Sequence, residues 1–266
     1  MTADELLATF RRPDYKPPVL PAIAIELHQL IQRPMCDVRQ VQQLLERDPL
    51  VAGKVLRTAQ SPLYATNVPL RSLSDAVNRL GIATINQIVL EVTVGSTLFR
   101  ARGYDEPMEQ LRKHSIACAY IARAVAHAVG EPRELAFMCG LFHDIGLVGC
   151  MLVIAPSASG RRPFSEVWPI IDGLHAEVGE MLVRLWNLPR EVALAVADHH
   201  RGTSSQPIDR LARVVYIADA LANANGIGIE AADSEQLPLA YRLTGFDEKL
   251  IPQLEDYAAT IAPQIT

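Results

Sequence analysis

A chain of 266 residues, 49% hydrophobic and 6% aromatic, is long enough for one large core or two helical lobes. Its formal net charge of −5 gives no electrostatic reason to expect nucleic acid as a partner. The acidic start Met1–Glu5 does not resemble a signal peptide, and no apolar run approaches the roughly 20 residues of a membrane span. A cytoplasmic protein without membrane contact is expected. Cys36, Cys118, Cys139 and Cys150 show no CxxC spacing, and Cys118 and Cys139 sit in apolar runs, so reduced core thiols are expected.

Helical periodicity dominates from the start. Residues 4–10 predict a short helix, and Pro13, Pro17, Pro18 and Pro21 an extended lead-in. Ile23, Leu27, Leu30 and Ile31 recur at helical spacing, which leaves His28 on a flank as a surface or structural residue. Asp37 reads as the next N-cap, with Gln40 at the capping-box position and Val38, Val41, Leu44 and Leu45 as the buried stripe. Asp48-Pro49 repeats the start signal ahead of Leu50, Val51, Val55 and Leu56, all expected inside. Ser61-Pro62 breaks that helix. Ser72 or Ser74 caps another that Gly81 ends, and an apolar helix from about 83 to 99 completes a first lobe, residues 1–105. Arg57, Arg71 and Arg79 are scattered rather than gathered on one face, which speaks against a DNA-reading helix.

The order of short elements in this lobe carries a resemblance. Leu20-Pro21-Ala22, Glu46-Arg47-Asp48-Pro49-Leu50, Val55-Leu56-Arg57-Thr58-Ala59-Gln60-Ser61 and Ala76-Val77-Asn78-Arg79-Leu80-Gly81 resemble the N-terminal half of the bacterial HDOD domain. Val55, Gln60 and Val77 depart from its patterns by mild substitutions.

In residues 106–225 the chemistry concentrates. A helix over 108–129 carries His114, with His127 near its end where a cation suits the dipole. Glu131-Pro132 starts an apolar helix that delivers His143-Asp144; Gly146 and Gly149 then let the chain turn, and Met151–Ile154 is too short to be more than core. The tract Pro156–Pro163 reads as an exposed loop bearing Arg161 and Arg162. His175 opens the next helix, with Val178, Met181, Leu182 and Leu185 inside. Leu188-Pro189 leads a helix ending at His199-His200, and a last apolar helix over 207–224 carries Asp219. A histidine beside a carboxylate in such an apolar run is costly unless both groups are satisfied, which a divalent metal does. Read with the other histidines, the pair points to a metal site assembled from several helices. Residues 226–266 form a tail, with an amphipathic helix over 247–262 packing back on the body.

The order H…HD…H…HH…D resembles the HD superfamily of metal-dependent phosphohydrolases and its HD-GYP branch. The resemblance implies an all-α fold of two helical lobes, the second an HD-like bundle. It places His114, His143, Asp144 and Asp219 around a first metal, with Asp144 able to bridge, and His175, His199 and His200 around a second. Mixed imidazole and carboxylate donors suit Fe or Mn, and also Zn or Ni, over Ca or Mg. Paired ions sharing a carboxylate lower the pKa of a water between them for attack on phosphorus. Several departures weigh against such turnover. Leu147 stands where catalytic HD-GYP proteins carry a lysine, Arg201–Pro207 replaces their glutamate and glycine-tyrosine-proline loop, and Gln110 falls near the glutamate of a third metal. The resemblance therefore implies a bacterial signal-transduction HDOD protein, a regulatory module binding signalling proteins. The alternative is a metal-dependent phosphohydrolase acting on a nucleotide or cyclic dinucleotide.

Overall fold

The computed structural model describes residues 2–31, 33, 36–66, 68–155, 162–200, 209–229, 236–244 and 247–265. Most of the tract expected as an exposed loop, and the Arg201–Pro207 replacement, lie outside these residues. The described residues are helical and contain no strand. The chain divides into two units, one formed by Val19–Leu98 and the other by Met1–Pro18 together with Phe99–Thr266. The expected lobe boundary near 105 differs from this division by a few residues. The leading segment and the expected tail both group with the second unit.

The first helix, α1 (Ala3–Phe10), belongs to that larger unit and starts with a capping box between Thr2 and Glu5. Within Val19–Leu98, α2 (Ala22–Ile31), α3 (Val38–Leu45) and α4 (Pro49–Ala59) pack with α5 (Leu73–Thr97). The starts follow from local chemistry. Asp37 accepts the Arg39 amide, Asp48 accepts those of Leu50 and Val51 ahead of Pro49, and Ser72 accepts that of Asp75. Gly81 interrupts α5 with φ 77°, where the sequence places a helix end. Leu27, Val41, Leu45, Val51, Val55, Ile85 and Val89 form the core of this unit. Leu50, expected inside, is 70% exposed, because it sits in the first turn of α4 on the face away from Val51 and Val55. Arg79 is not a free surface charge; its guanidinium donates to the carbonyls of Ala59 and Val68, at the end of α4 and beyond.

In the larger unit α6 (Asp105–Val129) packs along α7 (Arg133–Phe142). Next come α8 (Ile145–Ile154), α9 (Phe164–Asp172), α10 (His175–Leu185), α11 (Arg190–Asp198) and α12 (Arg210–Ala224). The last two are α13 (Gln236–Thr244) and α14 (Ile251–Ile261), the latter seated on α6 through Leu254 and Ala258. Sequence periodicity misses α8, since Gly146 and Gly149 read as turn residues. They are instead places where α8 presses on α10, and a Cβ on Gly146 would lie 1.9 Å from the His175 carbonyl oxygen. Leu185, expected inside, is 51% exposed in the last turn of α10.

The run Arg133–Ile154, 22 residues through α7 and α8, is long and apolar enough to cross a membrane by length and composition, contrary to the sequence expectation. It reaches that length because the two helices abut with only His143-Asp144 between them. Most of its apolar window, 89%, is buried inside the fold.

Candidate metal centre

Helix ends aim most of the titratable groups at one point. His143 closes α7, Asp144 precedes α8, His175 opens α10 just after α9, and His199 closes α11. The last carbonyls of a helix have no backbone N–H left to pair with. At three of these ends a histidine ring N–H takes that place. The Nδ1–H of His143 donates to the Gly140 carbonyl at 2.8 Å and that of His199 to Val196 at 2.6 Å, while that of His175 donates to Asp172. His114 lies mid-helix in α6, where such carbonyls are occupied, and its Nδ1–H reaches instead to the Ile227 carbonyl, 2.6 Å away. A neutral imidazole whose proton is on Nδ1 leaves a bare lone pair on Nε2.

Those Nε2 atoms converge. His114 and His143 bring theirs within 3.2 Å, His175 and His199 within 3.2 Å, and His175 and His200 within 2.9 Å. Asp144 straddles the two sets. Its Oδ2 lies 3.3 Å from His143 Nε2 and 3.6 Å from His114 Nε2, and its Oδ1 lies 3.4 Å from both His175 and His199 Nε2. Asp219 Oδ1 stands 3.1 Å from His114 Nε2. All seven residues expected as ligands thus come together, in two clusters that meet at Asp144. Lone pairs facing one another at this distance repel unless a cation or proton lies among them. Donor atoms bound at about 2.0–2.2 Å to one ion stand roughly 3 Å apart, so the donor set fits a transition metal.

Burial alone works against the charged forms here, and the partners decide the outcome. Against that burial, His143 and the neighbouring imidazoles hold the Asp144 carboxyl well below the usual carboxylate range. His114 lowers that of Asp219 in the same way. His114 is raised by the Cys118 sulfur and Asp219, and His143 by Asp144, each against desolvation. Desolvation wins at His199, which is lowered, and at His200, pushed down to about 3.

Cys118 also lies in the cluster, its sulfur 3.5 Å from His114 Nε2 and 3.9 Å from Nδ1. Near-equal distances to both ring nitrogens put the sulfur against the ring rather than in line with the Nε2 lone pair. Burial pushes this thiol up to about 11. It is free, as are the other three cysteines, and packs beside the ligands.

A cavity of about 380 Å³ opens onto the cluster, walled by Leu147, Trp168, Tyr216 and Leu239, with Asn223 and Gln236 beside Asp219. Asn223 donates to Asp219 Oδ1 at 3.0 Å and Gln236 to Oδ2 at 3.4 Å. Sequence reasoning passed over both amides. Asn223 was findable as the residue one helical turn after Asp219, whereas nothing local marks Gln236. His127 and Gln110 are exposed on α6 and line no part of the cavity. His28, in the smaller unit, is half-buried, and its Nδ1 has no hydrogen-bond partner among the described residues.

Known proteins share this architecture. An uncharacterized protein of Treponema pallidum (strain Nichols) is 26% identical over 194 residues, 69% of this chain and 37% of its own length. Ribonuclease Y of Acholeplasma laidlawii (strain PG-8A) is 30% identical over 161 residues, 60% of this chain and 26% of that protein. The chain therefore spans well under half the length of these curated relatives. Among solved structures, a Shewanella amazonensis SB2B protein assigned as a metal-dependent phosphohydrolase superposes with TM-score 0.76 at 18% identity, covering 98% of this chain and 97% of that one. An HDOD domain protein from Geobacter sulfurreducens superposes with TM-score 0.74 at 22% identity, covering 99% and 95%. At these identities the superpositions show a shared fold. Residues 18–202, more than half of the sequence, match the HDOD domain, and the chain belongs to the HDOD domain family.

Proposed function

We propose that this chain is a signal-transduction module acting through protein partners, with a site for one or two divalent transition-metal ions. The observation that carries the metal site is the convergence of Nε2 atoms on rings whose Nδ1 protons are already committed to carbonyls. In this reading His114, His143 and Asp219 hold one ion, His175, His199 and His200 the other, and Asp144 lies between them. Iron or manganese is favoured, and zinc or nickel accepts the same donors. When bound, such ions polarise phosphoryl oxygens and acidify water.

A regulatory role is favoured by what surrounds the ligands. Leu147 walls the cavity, and its described lining contains no lysine or arginine to meet a phosphate. The second reading is a phosphohydrolase acting on a nucleotide or cyclic dinucleotide. It is supported by a cavity that reaches His114, Asp144 and His200 directly, and by the phosphohydrolase and ribonuclease names of similar proteins.

The test is the metal content of protein purified without chelator or metal-binding tag, beside Asp144→Ala. One or two transition-metal ions per chain, lost in the variant, are expected, with no turnover of cyclic dinucleotides or a generic phosphodiester. Metal-free wild-type protein would sink the metal site. Robust hydrolysis abolished by His143→Ala would replace the regulatory reading with the enzymatic one.

A further inference from the structure

His114 differs from the other ligand histidines in where its Nδ1 proton goes. His143, His175 and His199 donate to carbonyls three residues earlier in their own chain segment, so their tautomers are set locally. His114 donates to Ile227, 113 residues away. That carbonyl is placed by the end of α12. Gly226 adopts φ +74°, and its amide bonds to the Asn223 carbonyl while that of Ile227 bonds to Ala222, the paired bonds of a left-handed helix stop. Ala at 226 would meet no atom but would have to hold a positive φ.

Asp219, in the same cluster, is also tied to this segment. Asn223 Nδ2 donates to Asp219 Oδ1 at 3.0 Å and to Gln236 Oε1 at 3.3 Å, and Gln236 Nε2 donates to Asp219 Oδ2 at 3.4 Å. The three side chains close a ring in which both carboxylate oxygens accept. That ring also fixes which way each amide points, since an amide oxygen turned toward the carboxylate would repel it. Asp144, His175, His199 and His200 have no comparable tie to residues beyond α12 among the described residues. The segment lies outside the matched family region, which ends at residue 202.

We propose that Asn223, Gln236 and the Gly226–Ile227 turn are positioning elements that set the affinity of the His114–His143–Asp219 ion alone, so that its occupancy answers to the placement of α13. This rests on the two-ion reading above. Partners that hold a ligand's orientation and basicity typically change metal affinity 10–100-fold. Loss of the Gln236 amide frees one oxygen of Asp219, and displacement of Ile227 frees the His114 ring to rotate.

The experiment is stepwise Co(II) titration of the full chain, followed by visible absorption and calorimetry, for wild type, Gln236→Leu, Asn223→Leu and Gly226→Ala. Gln236→Leu keeps side-chain bulk at a half-buried position, so it tests the amide with least risk to folding. The expected result is about 10–100-fold weaker binding of one ion, with a changed cobalt spectrum for that ion, while the other binds within about twofold of wild type. Unchanged affinities for both ions would overturn the proposal and leave the metal site standing. Equal weakening of both, with a lowered melting temperature, would also overturn it by reducing these residues to general support. Wild-type protein that takes up no cobalt would remove the two-ion reading and this proposal with it.

Discussion

His143 and His200 lie in adjoining clusters of one centre yet answer differently to a proton, and the difference is local. The imidazole of His143 has the Asp144 carboxylate 3.3 Å away, and its pKa is raised in spite of complete burial. His114 is raised as well, with Asp219 at 3.1 Å among the causes. His199 and His200 crowd each other at a ring separation of 4.0 Å, and burial lowers both. An ion competes with a proton for each Nε2, so a raised pKa means that the proton wins earlier as pH falls. Acidification from about pH 8 to about pH 5 should therefore release metal as protons take the Nε2 positions. Metal retained after dialysis across that range checks this. Full metal retention at about pH 5 would count against imidazole ligation.

Close approach of whole helices places those residues. The N-terminus of α8 meets that of α10 at Gly146, with the His175 carbonyl where a Cβ would be. A methyl group there cannot be relieved by a flexible side chain, because the obstacle is backbone. Gly146→Ala is expected to cost about 1–3 kcal/mol or more, as overpacking does, and to push His175 away from Asp144. Urea unfolding and metal content together check this, and a variant with native stability and full metal content would show that the helices can part freely. The same contact explains why α8 was missed. Glycine lowers helix propensity, so two of them in four residues read as a turn, but tertiary burial of Val148, Cys150 and Met151 outweighs that preference.

At the scale of the larger unit, the chain returns to residues that precede the matched family segment. In α1, Leu6 and Phe10 are buried. Arg11 pairs with Glu177 on α10 at 2.7 Å, and the Trp186 indole N–H donates to the Pro18 carbonyl at 2.8 Å. The ion pair is exposed and contributes little, whereas two buried apolar side chains contribute about 3–6 kcal/mol. A chain shortened to begin at Val19 should lose about that much stability, a large share of the total for an ordinary domain. A lowered urea midpoint with red-shifted tryptophan emission is the expected result. An unchanged midpoint would mean that α1 rests on the surface without supporting it.

Sequence alone determined the helices whose signals are local. Asp37, Asp48 and Ser72 each bond to amides two or three residues ahead, so capping is legible without any tertiary information. It also determined the ligand residue types and their family resemblance. Cys118 and Cys139 could be read as buried thiols from their apolar surroundings, but the place of Cys118 against the His114 ring could not. Tertiary structure decided which ring nitrogen faces inward and that Asp144 turns one oxygen to each cluster. It also decided that Asn223 and Gln236 grip Asp219 from two helices. Side-chain direction at such a site depends on hydrogen-bond partners supplied by other helices, and for His114 that partner is 113 residues distant. Periodicity records which face of a helix is buried, and it carries no term for what that face will meet.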